Sequence, residues 1–538
     1  MSAGMSRGRP TVGTSIPLTA DQEGVVVPAA ADDGAPEKAA PGALGARVRR
    51  GAMWTVGSSV LMRFANIAVM AVVARVVTPE YAGIFALAMT AHGFVSSVAE
   101  LGVASAVARS GREIDEIAPT VATISIVTSA TLAALLAIFA APVAGALGSE
   151  GAAGPLRVLA ISVALIGPLA VPGAQLQREF RQGRVFVANA VSFVPSNLVL
   201  VLLAVHGDGA MAFAWSRVVG QVVMGAIMLG GVSRMYRPSI DRRQLGPLLA
   251  FGVPLALANL LGQVLLNVDY VFVGRLLDVA AVGLYMFAFN VASWSTAVIG
   301  SMLNGVVVPA FSQVGVDSAR LPAAVTRATR VVAVIACPIG AMTGVLAGPL
   351  VAVLYGPQWH AAAPVLAILS VYGVISVLCL LFANIVVAMG RTRVFLTVQA
   401  AALVVLVPAI QLGITRSGIV GVGLAHIAVI ATVTLPVYLV AVRTSTGAGP
   451  IVLARAVAPP VVAAALAALA AALLARFSDV DLVRLVIGGM GGMAVYGLLM
   501  VRELTGVVGL STLGRRVERM LDATAWSRRW LTGEGRVA

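Results

Sequence analysis

The chain has 538 residues, of which 59% are hydrophobic and 11% are charged. A soluble domain carries roughly 25% charged residues, so this composition argues against a soluble protein and predicts an all-α protein that crosses a membrane many times. The net charge is +14. The arginines lie in short loops between apolar runs, however, which favours the inner side of a membrane over a nucleic-acid partner.

The chain begins with a polar, non-periodic segment rich in proline and glycine, 1–46, for which we expect a disordered cytoplasmic tail. Apolar runs of about 20 residues, the length that crosses about 30 Å of hydrocarbon, then recur about fourteen times. These predicted spans lie near 53–76, 83–108, 118–141, 156–175, 185–205, 210–231, 247–268, 281–308, 331–354, 362–388, 394–414, 418–442, 451–475 and 483–501. The last segment, 502–538, is basic and contains two tryptophans, and we expect it to lie on the anionic inner leaflet.

An internal repeat relates the turn after the first span to the turn after the seventh. Arg75 precedes Gly83 by eight positions, and Arg275 precedes Gly283 by the same interval about 200 residues later. Each glycine is followed by an aliphatic and an aromatic residue. The repeat predicts two similar lobes, with these four residues in structural or coupling roles.

Grouping the spans by this repeat predicts two six-helix lobes, 47–235 and 236–443, followed by two accessory helices in 444–501. The arginine-rich loops alternate with arginine-poor ones, and the rich set lies on the same side as the N-terminus. By the positive-inside rule, both termini are then cytoplasmic and the protein is a multi-pass protein of the plasma membrane.

Charged residues within the spans are candidates for substrate contact, because a charge at mid-membrane costs about 2.5–3.5 kcal/mol on the insertion scale. Arg63 and Glu100 lie at similar depths in the first hairpin. They either form a structural ion pair or contact substrate. Arg217 lies in span six without an acid at comparable depth in its hairpin, so it faces a wet cavity and binds an anion, or it extends to the outer headgroups.

Polar residues also form a stripe along span seven. A spacing of four puts its three members on one helix face, which faces either water or a partner helix. They are Asn259, Gln263 and Asn267. At the outer end of the same span, Asp269 and Arg275 are interpreted as a pair in the headgroup region. His426 is alone in span twelve and is interpreted as a packing residue rather than a proton relay.

The sequence favours a transporter over an enzyme. No predicted outer loop exceeds roughly 15 residues, which leaves no room for an extracytoplasmic catalytic domain. The chain contains no Gly-rich phosphate loop ending in Gly-Lys-Ser/Thr, so we expect no ATPase of its own. We expect no cofactor and no metal site.

Several stretches carry a resemblance to a known family. In the first half these are ARVVTPEYAGIFALA and AELGVASAVAR; in the second they are FGVPLALANLLGQVLLNVDYVFVGRLLDVAAVGLYMFAFN, VVVPAFSQV, LYGPQWHAAAPVLAIL and AMGRTR. Their order and spacing over roughly residues 50 to 440 resemble Wzx-type polysaccharide flippases of the multidrug/oligosaccharidyl-lipid/polysaccharide exporter superfamily. The branch looks similar to exporters of colanic or teichuronic acid-like polymers.

This resemblance implies two lobes around a central cavity that opens alternately to either side. It also implies that an undecaprenyl-pyrophosphate-linked glycan is turned from the inner to the outer leaflet, with H⁺ or Na⁺ as a possible coupling ion and a polysaccharide polymerase as a possible partner. The alternatives are a multidrug or cation-coupled exporter, a lipid II flippase, and, from a different class, a membrane-bound glycan polymerase or ligase.

Overall fold

The structure is a computed structural model, and it describes residues 65–100, 114–179, 181–232, 234–293, 300 and 320–501. Both predicted tails, 1–46 and 502–538, lie outside the described residues, as does Arg63. All regular secondary structure in the described ranges is helical. The predicted all-α membrane fold is therefore confirmed.

The first half of the chain forms seven helices, α1–α7, within the described residues. In order they are α1 (Ala65–Val76), α2 (Pro79–Ala99), α3 (Ile114–Ile138), the short α4 (Ala140–Ala146), α5 (Ala153–Arg178), α6 (Gln182–His206) and α7 (Ala210–Gly231). Proline is the first residue of α2 and Thr78 before it is extended, as the Thr-Pro break predicts.

The second half, α8–α14, and a C-terminal pair, α15 and α16, complete the described helices. They are α8 (Arg242–Leu276), α9 (Val279–Ser293), α10 (Leu321–Val345), the short α11 (Ala347–Leu354), α12 (Ala363–Ala388), α13 (Thr392–Val429), α14 (Leu435–Thr446), α15 (Pro450–Leu474) and α16 (Asp481–Leu499). Single turns of other helix types occur at Glu150–Ala152, Pro357–Ala362, Ile430–Thr434 and Ala475–Phe477.

Eleven helical stretches in the described ranges are long and apolar enough to cross a membrane, and α1 and α9 are shorter apolar helices. Each predicted span overlaps a helix, but the total of fourteen stays a prediction. The boundaries of one span were wrong: 331–354 is replaced by α10, which begins ten residues earlier, and by the separate α11. Arginines in the first turns of α10 hid its start, because hydropathy registers only the apolar part of a helix.

The longest helical stretch, Thr392–Thr446, contains a break at the position where the sequence separates spans eleven and twelve. Ser417 and Gly418 have non-helical dihedral angles, and the φ of Gly418 is +58°. Glycine adopts this left-handed conformation without the penalty that a Cβ imposes. The chain therefore reverses there within a few residues.

A linker, 234–241, joins the two halves and is anchored on the start of α3. Arg234 forms an ion pair with Asp115 at 2.8 Å, and the Tyr236 hydroxyl donates to the same carboxylate. Burial and the nearby Asp115 raise the pKa of Tyr236 above its usual value. The Thr123 hydroxyl donates to the Ser239 carbonyl at 2.9 Å. The start of α8 is thus held against the first half.

The apolar core is continuous between the two halves. One cluster of buried side chains includes residues of α2 and α5 together with residues of α8, α9 and α12. A second cluster joins α10, α12 and α14 to the C-terminal pair, where the Tyr496 hydroxyl donates to the Val334 carbonyl at 2.8 Å. Large apolar side chains remain exposed along α15, as on a surface that faces lipid chains. They include Val461, Val462, Leu466, Leu469 and Leu473.

Candidate functional site

A polar cluster lies inside the first half, between α2, α5 and α7. The His92 ring nitrogen Nε2 is 2.6 Å from the Ser162 hydroxyl and 3.3 Å from the Ser96 hydroxyl. The Gln221 amide donates to the Ser162 carbonyl at 2.9 Å. His92 and Ser162 are both buried, so these hydrogen bonds offset the cost of removing polar groups from water.

Arg217 lies beside this cluster. It is one helical turn before Gln221, so both residues lie on the side of α7 that faces α5. Its charge is near enough to act on the His92 ring. Arg217 is exposed, and it forms no hydrogen bond or ion pair with another residue in the described ranges. An exposed arginine on an inward side of a helix can bind an anion, as the sequence predicts for Arg217, and that role stays a prediction.

Sequence reasoning missed His92, and a signal for it was present. His92, Ser96 and Glu100 follow one another at intervals of four, so they lie along one face of α2. Glu100 is exposed, and its N–H donates to the Ser96 carbonyl at 3.0 Å. Its predicted pairing with Arg63 involves a residue outside the described ranges and stays a prediction.

The polar stripe of α8 has different surroundings along its length. Gln263 faces α2, since a methyl group on Gly93 would lie 3.6 Å from Gln263 Nε2. Asn267 donates to the Gln263 carbonyl at 2.9 Å. Asn259 is exposed and has no hydrogen bond to another described residue. The stripe therefore packs on α2 through one member and is open at another.

A second polar cluster lies inside the second half and is centred on Asp269. This carboxylate is 1% exposed. Its Oδ2 accepts a hydrogen bond from the Tyr285 hydroxyl at 2.6 Å, and its Oδ1 accepts one from the Tyr270 N–H at 2.9 Å. His426 Nε2 lies 3.4 Å from Asp269 Oδ2, within ion-pair distance but without the alignment of a hydrogen bond.

Two interpretations from the sequence are corrected here. Asp269 does not pair with Arg275, because Asp269 points into the second half while the Arg275 guanidinium donates to the Ala146 carbonyl at 2.6 Å. His426 is not a lone packing residue, because it lies against Asp269. The two partners are about 160 positions apart in sequence, so only the folded chain reveals their contact.

Aromatic rings and a cavity surround this cluster. The rings of Tyr372 and Phe289 lie 5.0 Å and 6.3 Å from the His426 ring. A cavity of about 350 Å³ between α8, α12, α13 and α14 is lined by His426, Tyr372 and Gln399, among others. The helix after His426 continues as a π-turn, Ile430–Thr434. Such turns are common at functional sites.

The repeat-related glycines meet each other where α2 crosses α9. A methyl group added to Gly83 would lie 1.8 Å from the Val279 carbonyl oxygen, and one added to Gly283 would lie 1.9 Å from the Pro79 carbonyl oxygen. Because the two contacts are equivalent, the repeat creates a pseudo-twofold crossing. Only glycine allows the two backbones to approach this closely.

The repeat-related arginines make matching contacts near this crossing. Arg75 donates to the Val353 carbonyl at 2.9 Å, in the last turn of α11, and Arg275 donates to the Ala146 carbonyl at the end of α4. Each arginine therefore binds the negative end of a short helix in the other half of the chain. The indole N–H of Trp359 adds a further contact by donating to the Ala74 carbonyl at 2.8 Å.

A family model described as "Polysaccharide biosynthesis protein" matches residues 72–364, which is more than half of the chain. The chain belongs to this family. The matched segment contains the glycine crossing, both repeat arginines and the polar cluster of the first half. The resemblance to Wzx-type flippases that the sequence indicated is confirmed.

Curated relatives of this polysaccharide biosynthesis protein share between a fifth and a quarter of its residues. It is 21% identical to the lipopolysaccharide biosynthesis protein WzxC of Escherichia coli (strain K12) over 405 residues, 74% of this chain and 81% of that protein. It is 23% identical to the teichuronic acid biosynthesis protein TuaB of Bacillus subtilis (strain 168), over 44% of this chain and 49% of that protein. It is 25% identical to the succinoglycan biosynthesis transport protein ExoT of Rhizobium meliloti (strain 1021), over 60% of this chain and 65% of that protein.

Solved structures show the same fold. The lipid II flippase MurJ in an inward closed conformation matches 83% of this chain and 99% of its own, with a TM-score of 0.66 and 15% identity. An inward-facing multidrug resistance MATE family transporter of the MOP superfamily matches 71% of this chain and 94% of its own, with a TM-score of 0.58 and 19% identity. At these identities the likeness concerns the fold alone.

Proposed function

We propose that this protein moves a lipid-linked glycan from the inner to the outer leaflet of the plasma membrane. The observation that carries the proposal is Arg217, an exposed arginine beside a polar cluster within the spanning helices. A lipid-linked glycan has an anionic headgroup that cannot cross hydrocarbon and an apolar chain that need not leave it. Membership in a polysaccharide biosynthesis family supports a glycan as the cargo.

In this proposal, 47–235 and 236–443 are two lobes that alternately open a shared cavity to either side, and 444–501 is accessory to them. Arg217 binds the diphosphate of an undecaprenyl carrier or an acidic sugar through paired N–H donors, which lysine cannot offer in one plane. Asn259 contributes hydrogen bonds to the glycan from α8. The protein acts without an ATPase of its own, both termini are cytoplasmic, and a polymerase receives the product.

The experiment measures surface polymer in cells whose own copy is replaced by variants at matched protein level. Arg217→Ala is expected to abolish export, and Arg217→Lys to restore it partly because the planar fork is lost. The control is Arg157→Ala, an exposed arginine at the start of α5. Normal polymer from Arg217→Ala would remove Arg217 from the site.

The class of cargo is tested separately by isolating the lipid-linked intermediates from the same cells. Loss of transport should trap a lipid-linked glycan on the inner leaflet. Trapped lipid II would instead favour a peptidoglycan precursor as the cargo. Unchanged lipid intermediates together with new sensitivity to cationic drugs would favour a multidrug exporter.

The coupling ion is proposed to be a proton that binds at Asp269 and His426. A carboxylate and an imidazole this close can hold zero, one or two protons, and adding one proton to an ionised Asp269 beside a neutral His426 removes a net charge from the interior. Tyr285 contacts Asp269 from α9, and the ring of Tyr372 on α12 lies 5.0 Å from the His426 ring.

This part of the proposal is tested with purified protein in vesicles under an imposed gradient. Transport is expected to stop when a protonophore collapses the proton gradient and to continue when Na⁺ is replaced by choline. Asp269→Asn should uncouple transport from the proton gradient while Tyr285 keeps an acceptor. Dependence on Na⁺ with indifference to the protonophore would overturn proton coupling.

A further inference from the structure

A pocket rich in arginine lies at one end of the second half and shares no lining residue with the cavity beside His426. It has a volume of about 660 Å³ and is enclosed by the first turns of α10 and α15 and by the turn Gly447–Gly449 that precedes α15. Gly447 ends α14 in a left-handed conformation with a φ of +77°. That turn directs the chain back across the start of α10. We name this site the arginine pocket.

Three arginines line the arginine pocket: Arg327 and Arg330 from α10, and Arg455 from α15. Arg327 and Arg455 are exposed, so their guanidinium groups can reach a ligand that enters from outside. None of the described residues that line the pocket is an aspartate or a glutamate. Arg327 and Arg455 therefore bring positive charge to a pocket whose described lining contains no carboxylate.

The two helices that form the pocket reinforce this charge. Both α10 and α15 begin here, at Leu321 and Pro450, and each has 25 residues. The N-terminus of a long helix carries a partial positive charge and N–H groups without partners inside the helix. Two such ends combined with the exposed Arg327 and Arg455, one from each helix, form a site for a phosphate group.

The surroundings of the pocket indicate the kind of molecule that carries the phosphate. The arginine pocket lies at the end of two spanning helices, on the side that the arginine distribution predicts to be cytoplasmic. Val452 lines the pocket, and Ile451 next to it is 70% exposed. A ligand here would therefore meet cationic groups at the membrane surface and apolar side chains on the same helix.

We infer that the arginine pocket binds the phosphate headgroup of an anionic phospholipid of the inner leaflet, whose acyl chains lie along α15. Basic pockets between spanning helices on the cytoplasmic side have the chemistry for such headgroups. The bound lipid bridges α10 and α15 and so fastens the C-terminal pair to the second half. This inference does not depend on the cargo that the protein transports.

The test uses purified full-length protein that has been stripped of lipid in detergent. Binding of phosphatidylglycerol and of cardiolipin is measured by native mass spectrometry and by the shift in unfolding temperature, with phosphatidylcholine as the uncharged comparison. The anionic lipids should bind and raise the unfolding temperature, and phosphatidylcholine should not. Equal stabilisation by all three lipids would overturn the inference.

The pocket variant is Arg327→Gln with Arg455→Gln, and the matched control is Arg242→Gln with Arg393→Gln, which removes two exposed arginines from the same predicted side outside the pocket. The pocket variant should bind anionic lipid about 30-fold more weakly than wild type, since each arginine strengthens binding about fivefold. The control should stay close to wild type. Equal weakening in both variants would mean a diffuse surface charge and would overturn the site.

Two further measurements keep the inference falsifiable. If the glutamine variant fails to fold, Arg327→Lys with Arg455→Lys retains the charge and should weaken binding several-fold through loss of the planar donors; unchanged binding in that variant would count against a built site. Inorganic phosphate is the second ligand. If phosphate alone stabilises the wild type as much as the lipids do, the pocket binds a soluble anion and the lipid assignment is wrong.

Discussion

Each half of the chain buries one histidine among its spanning helices, and the two histidines have different partners. His92 in the first half contacts the hydroxyl of Ser162 and lies near the charge of Arg217. His426 in the second half lies against the carboxylate of Asp269 and among tyrosines. The polar cluster of the first half thus lies beside an exposed cation, Arg217, and that of the second half contains a buried acid, Asp269.

The backbone contacts that join the two halves, which we call the frame, are the same in both copies of the repeat. Gly83 and Gly283 meet in equivalent contacts, and Arg75 and Arg275 bind equivalent short helices of the opposite half. The two copies of the repeat therefore keep the same backbone contacts between the halves, whereas the polar clusters around His92 and Asp269 differ. In the proposed function, the anionic headgroup binds in the first half and the proton binds in the second.

The largest expected effect tests the difference between the interiors. Asp269→Ala leaves the Tyr285 hydroxyl without its acceptor and removes the partner of His426. Leaving a buried donor without its acceptor costs about 1–3 kcal/mol, and more when the lost partner is a charged group. Ser162→Ala in the first half removes a neutral hydrogen bond and should cost only about 1 kcal/mol. The unfolding temperatures of the purified variants give the comparison.

A double variant separates a lost interaction from a simple loss of volume. Tyr285→Phe removes the hydroxyl that Asp269 accepts from, so its cost combined with Asp269→Ala should be less than the sum of the two single costs. Strict additivity would mean that the tyrosine does not stabilise the carboxylate. The comparison would also fail if Ser162→Ala cost as much as Asp269→Ala.

The next effect tests the shared frame. Gly83→Ala and Gly283→Ala should each destabilise the protein by about 1–3 kcal/mol, because the added methyl group overlaps a backbone carbonyl that cannot move aside. Gly262→Ala is the control, since a Cβ there has no neighbour within 4 Å. Markedly unequal costs at Gly83 and Gly283 would argue against an equivalent crossing.

The contacts that join the two halves were largely predictable from sequence. Of the two polar clusters, the sequence indicated Arg217 but not the contact of Asp269 with His426. The Thr-Pro break, the paired glycines and the paired arginines are local patterns, and their roles follow from backbone chemistry that a sequence displays directly. The exposure of Arg217, without an acidic partner in the described ranges, agrees with the lack of an acid that singled it out. The contact of Asp269 with His426 was not predictable, because hydropathy and spacing carry no information about which spans are neighbours.

A smaller effect concerns Trp359, which makes a contact between the halves in addition to the repeat-related ones. Trp359 is buried and donates to the Ala74 carbonyl from the second half. Gln358 donates to the same carbonyl, so Ala74 keeps a partner when the indole is replaced. Trp359→Phe should therefore cost about 1 kcal/mol for the lost hydrogen bond and about 1 kcal/mol more for the volume left unfilled beside Phe287. A loss of several kcal/mol would show that the indole supports the crossing through packing.

The smallest effect concerns the repeat arginines. Arg75→Gln and Arg275→Gln each remove a charged donor from the carbonyls at the end of a short helix, an interaction that contributes about 0.3–1 kcal/mol when it is exposed. Both arginines are exposed, so their stabilities should fall by similar small amounts. Arg157→Gln, an exposed arginine on the same predicted side, should have no effect.

Because the two contacts are far apart in sequence and join opposite pairs of elements, their costs should add in the double variant if each acts alone. A double variant that loses clearly more than the sum would mean that the two arginines hold one closed arrangement of the halves together. Faster labelling of a cysteine placed at Ser149 from the outside would then accompany the loss of stability.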